Sequence, residues 1–78
     1  MAIRLSNISL AEFRMFLRKI GCERIRTDGG HEIWSRKGLR RSITLQTHVD
    51  PIPERIVRQS LRNLEITREE FEQYLSRL

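Results

Sequence analysis

Two glycine turns constrain this chain more than any other feature. Asp28-Gly29-Gly30 and Lys37-Gly38 cut its middle into three short runs, 23–27, 31–36 and 41–47, each reading as a strand. In the third run Ile43, Leu45 and Thr47 face one side while Ser42, Thr44 and Gln46 face the other, the pattern of a sheet with one covered face. Helical spacing flanks the runs. Leu10, Phe13, Leu17 and Ile20 recur at helical intervals, with Phe16 widening the stripe. Ser9-Leu10-Ala11-Glu12 reads as a capping box, and Gly21 ends the helix. Asp50-Pro51-Ile52-Pro53 interrupts regular structure and puts Pro53 near the first turn of a second helix, whose inward stripe is Val57, Leu61 and Leu64. Thr67-Arg68-Glu69-Glu70 opens a last helix carrying Phe71, Tyr74, Leu75 and Leu78 on one side.

The order is α-β-β-β-α with an extra C-terminal helix, which predicts a two-layer α+β domain with helices on one face of an antiparallel meander. Double-stranded-RNA-binding domains share that order, an analogy of fold alone. The 78 residues make one domain, 1–78, with a single small core. No apolar run of about 18 residues is present to span a membrane. Met1 to Leu10 lacks the apolar stretch and cleavage site of a secretory signal. Cys22 is the sole cysteine and reads as a small buried residue; a core without disulfides fits a reducing cytoplasm.

Charge narrows the class of partner. Fifteen basic residues stand against ten acidic ones, a net of +5, and 13 of the 15 are arginine, the side chain suited to bidentate phosphate contact and base stacking. Residues 1–53 hold ten basic and five acidic side chains, whereas 54–78 hold five of each, so charge places function in the first part.

Only His31 and His48 can move protons near neutral pH. His31 follows Gly29-Gly30, which allow close approach of a ligand to the backbone. Arg24, Arg26, Arg36, Lys37, Arg40 and Arg41 surround it in sequence. Such a set could cleave RNA: the imidazole takes the 2′-OH proton or protonates the leaving 5′ oxygen, and guanidinium groups neutralise the transition state. An ordinary turn histidine fits the same residues. His48 is either a second acid–base group or a phosphate contact. Trp34 could stack on a base, though core packing is the stronger expectation. One cysteine and two isolated histidines make no metal-ligand cluster, and no cofactor motif is present.

The stretch Arg26-Thr27-Asp28-Gly29-Gly30-His31-Glu32-Ile33-Trp34 resembles the Gly-Ser/Gly-His-x-hydrophobic-aromatic signature of HicA toxins. Ile20-Gly21-Cys22 before it, Leu45-Gln46-Thr47-His48, Val57-Arg58-Gln59-Ser60-Leu61-Arg62 and the segment from Ile66-Thr67 to Leu75 are similar to family segments in the same order. The resemblance spans residues 10 to 76. It implies a double-stranded-RNA-binding-domain-like fold and a metal-independent endoribonuclease (mRNA interferase). His31 would be its catalytic residue, mRNA its substrate and a HicB-like antitoxin its neutralising partner, with a hetero-oligomer expected on antitoxin binding. Four positions depart from the pattern: Glu32 stands where many members have a second histidine, Arg55-Ile56 replaces Gly-Thr, and Glu65 replaces a glycine. The residues themselves leave two further readings open, a non-catalytic RNA-binding module and a degenerate toxin acting only through protein contact.

Overall fold

The computed structural model describes residues 5–77. Its elements are α1 (Leu10–Lys19), β1 (Glu23–Asp28), β2 (His31–Ser35), β3 (Ile43–Gln46), α2 (Glu54–Leu64) and α3 (Arg68–Ser76). The strands form one antiparallel sheet in the order β1-β2-β3, an α+β architecture. Among the described residues no helix is long and apolar enough to cross a membrane.

Local chemistry sets the helix starts. Ser9 Oγ accepts from the Glu12 amide and Glu12 Oε1 accepts from the Ser9 amide, both at 3.0 Å. Thr67 and Glu70 repeat the arrangement at α3, at 3.1 and 3.0 Å. Those bonds hold the Glu70 carboxyl below its usual range. Pro53 caps α2 with no side-chain bond. At the end of α2, Glu65 takes the left-handed conformation (φ 57°), while the amides of Glu65 and Ile66 donate to the carbonyls of Arg62 and Leu61. A non-glycine residue there carries a steric penalty of about 1 kcal/mol.

The core lies between sheet and helices. Trp34, Ile43 and Leu45 pack with Phe13, Phe16, Leu17, Val57, Leu61, Leu64 and Phe71. Phe16 meets Phe71 edge-on at 4.7 Å between ring centroids, and this clasps α1 to α3. Trp34 is therefore a core residue, 1% exposed, and stacks on no external base. Cys22 is buried as expected, and burial pushes its thiol up. Ile20, Tyr74 and Leu75 are only half-buried, and Leu78 lies outside the described residues.

All three strands differ from the sequence reading: β1 runs one residue further, to Asp28, and β2 stops one residue earlier, at Ser35. β3 covers Ile43–Gln46 rather than 41–47; Thr47 lies just past its end, with its amide bonded to the Gly30 carbonyl as the next pair of the same register. β1 is exposed along its whole length, despite its alternating sequence. It is an edge strand, and a bulge between Arg24 and Arg26 turns Ile25 outward, 58% exposed.

Candidate functional site

β2 presents opposite faces to opposite tasks, because successive strand residues point to opposite sides of a sheet. Glu32 and Trp34 point into the helix layer. His31 and Ile33 point to the uncovered side, across from Gln46 and Thr44 of β3.

Glu32 is a buried carboxylate, 2% exposed. Arg14 of α1 holds it with both nitrogens of a fork: Nε donates to Oε1 at 3.1 Å, and the second guanidinium nitrogen bonds Oε2. The Trp34 indole N–H donates to Oε1 at 3.0 Å, and Arg24 stands 3.7 Å from Oε2. The Arg14 bond, then the indole, hold this carboxyl below its usual range, and Arg14 is raised in return. Glu32 is thereby a tie between sheet and α1. Its partner Arg14 was hidden by distance in the sequence, and Arg24, expected beside His31, is drawn to Glu32.

On the other face the Gly29-Gly30 turn delivers an exposed His31 to the end of the sheet where β3 finishes. Thr47 donates its amide to the Gly30 carbonyl at 2.9 Å, bringing the following residue, His48, over the turn. A Cβ on Gly30 would stand 2.9 Å from His48 Cδ2 and 3.1 Å from Nε2, so the ring's approach depends on glycine. The His48 ring thus lies against the turn that precedes His31, while His31 itself lines the neighbouring cleft.

The loop beyond His48 is anchored. Asp50 Oδ1 accepts from the Leu10 amide at 3.1 Å, joining the loop to the start of α1, where a negative charge is favoured. Ile52 is buried and donates its amide to the Ile8 carbonyl at 2.8 Å. This fixes a cleft of about 210 Å³ between the open sheet face and the start of α2. His31, Thr44 and Gln46 line one side; Val49, Pro53, Arg55 and Ile56 line the other. Arg55 has no ion-pair partner among the described residues, since neighbouring Glu54 is held by Arg58 at 2.6 Å.

The sequence-predicted basic residues do not form one group. Arg24 lies on the Glu32 side of the sheet. Arg26 pairs with Ile33 on the open side. Arg36 is half-buried and donates to the Ile20 carbonyl at 2.8 Å. Lys37, Arg40 and Arg41 are exposed around the second turn, at the far end of β2 from His31, about 17 Å away at about 3.4 Å per residue. They line a second recess of about 420 Å³ together with Arg36, Arg62, Asn63 and Glu65. Charge counted by halves missed α2 entirely, although its Arg55 and Arg62 line both hollows. The one signal for Arg55 was its place in a departure from the family pattern. Among the described residues no group of three or more His, Cys, Asp or Glu side chains is placed to hold a metal ion.

No family model matches the chain, and neither a curated protein nor a solved structure matches it significantly. The residues themselves carry the functional reading.

Proposed function

We propose that this chain is a HicA-like toxin of a type II toxin–antitoxin pair. It is a cytoplasmic, metal-independent endoribonuclease of double-stranded-RNA-binding-domain-like fold that cleaves mRNA and is neutralised by a HicB-like antitoxin. The observation that carries the reading is an exposed His31 on a Gly-Gly turn, with the His48 ring lying against Gly30 and Arg55 across the cleft. Those parts suit transesterification. The ribose 2′ oxygen attacks phosphorus while the P–O5′ bond breaks, leaving a 2′,3′-cyclic phosphate and a 5′-hydroxyl. His31 carries a proton, either from the 2′-OH or to the leaving oxygen, and His48, held against the Gly30 turn, is the second group available for the other transfer. Arg55 neutralises charge gathering on the non-bridging oxygens.

Induced expression in bacteria tests the reading. It should arrest growth with loss of intact mRNA, whereas His31→Ala should not. Growth unaffected by the wild-type chain, with RNA still bound, would assign it as a non-catalytic RNA-binding module. Capture of a protein partner with neither cleavage nor RNA binding would mark a degenerate toxin.

A further inference from the structure

The two hollows described above are joined by a helix. α2 starts at the His31 cleft, where Arg55 lines the wall, and ends at the Lys37–Arg41 recess, where Arg62 does. Arg55, Gln59 and Arg62 stand at i, i+4 and i+7, one stripe of a helix, and all three are exposed. Arg55 and Arg62 are separated by about 10 Å along the axis at about 1.5 Å per residue. Neither they nor Lys37, Arg40 and Arg41 have ion-pair partners among the described residues. Among the described residues Glu65 is the one carboxylate lining the recess.

We infer that the β3–α2 flank is a phosphate track for a single RNA strand. The strand lies lengthwise along α2, with its backbone held in the Lys37–Arg41 recess, passed by Arg62 and Arg55, and delivered to His31. The charge fits a polyanion, and the stripe connects the recess to the group that can cut it. The roughly 17 Å between the two ends is more than the single internucleotide step that separates the two phosphates of a trinucleotide. The recess therefore contributes only when the RNA is long enough to reach it. The β1 edge, with Arg24 drawn to Glu32, is not part of the track. This inference takes its substrate from the proposed function but concerns binding, so it can stand or fall separately.

The test uses the full-length chain carrying His31→Ala, with fluorescein-labelled oligouridylate as a trimer and as a dodecamer, read by anisotropy. Dodecamer affinity should fall up to about fivefold with each of Arg55→Ala, Arg62→Ala and Arg40→Ala. Each should also flatten the slope of log affinity against log salt by about 0.7. Arg62→Lys should recover most of the loss, and Arg77→Ala at the end of α3 should change nothing. The trimer should bind more weakly and ignore the Arg40 substitution. Circular dichroism confirms that each variant is folded. Unchanged dodecamer affinity and salt slope in folded Arg62→Ala would overturn the track, as would a trimer binding as tightly as the dodecamer. Competition by poly-glutamate as effective as that by RNA at equal charge would overturn it too, and would assign the flank to an acidic protein. RNA left uncut by the wild-type chain, with the binding pattern intact, would remove the nuclease and leave the track.

Discussion

His31 and Glu32 are neighbours on one strand and have opposite surroundings. Glu32 is enclosed by Arg14, Arg24 and Trp34, whereas His31 stands at an open cleft. The closed face holds the sheet against α1; the open face offers a proton carrier beside an unpaired arginine. A buried carboxylate is costly unless its hydrogen bonds are made, so that face is organised around satisfying Glu32. The exposed face meets no such demand and is free to hold a reactive group. Substitutions on the two faces should therefore separate activity from stability.

The largest expected effect is on the open side. His31→Ala should lower RNA cleavage about 10²- to 10⁴-fold, the usual range for a general acid–base group, with thermal stability near that of the parent. A cleavage assay beside a melting curve checks both halves. Equal loss of activity and fold would erase the distinction between the faces.

Next is the closed side. Arg14→Ala strands a buried carboxylate and should cost about 2–3 kcal/mol of stability, below the full value for a buried pair because Arg14 is partly exposed and Arg24 remains near. Combining Arg14→Met with Glu32→Gln, which keeps an acceptor for the Trp34 indole, should recover much of that loss. Urea unfolding measures it.

A smaller effect links the faces to the turn between β1 and β2. Gly30→Ala puts a methyl where the His48 ring lies. The ring is exposed and can swing away, so stability should shift by less than about 0.5 kcal/mol. Cleavage should fall to the level of His48→Ala, and combining the two changes should add nothing further. Activity unchanged in both single variants would take His48 out of the reaction.

The smallest effect is acid sensitivity. Glu32 and Glu70 both have carboxyls depressed in the folded state, by Arg14 and by the α3 cap respectively. Their contribution is complete above the unfolded carboxyl pKa of about 4.3 and is lost as pH falls through the lower folded values. Glu32→Gln should flatten the decline in stability below about pH 4; an unchanged acid limb would contradict the depression assigned to Glu32.

Much of this was legible because it is local. The Ser9 and Thr67 capping boxes, the two turns and the Ile43/Leu45 against Thr44/Gln46 faces depend on residues a few positions apart. His31 after Gly29-Gly30 was legible for the same reason. What escaped was fixed at long range. Arg14 meets Glu32 across 18 positions, and nothing near Glu32 marks it as buried. Arg55 joins His31 only because α2 begins at the end of β3. The expected grouping of basic residues around His31 failed on strand geometry, since β2 carries Lys37, Arg40 and Arg41 to its other end.

The central claim is that His31 drives attack by the ribose hydroxyl without a metal ion. Its most direct test is to incubate the purified chain with RNA in excess EDTA and identify the new ends. The account predicts cleavage that persists, with 2′,3′-cyclic phosphate and 5′-hydroxyl ends, and that disappears with His31→Ala. Cleavage abolished by the chelator and restored by Mg²⁺ or Mn²⁺, or products bearing 3′-hydroxyl ends, would contradict it.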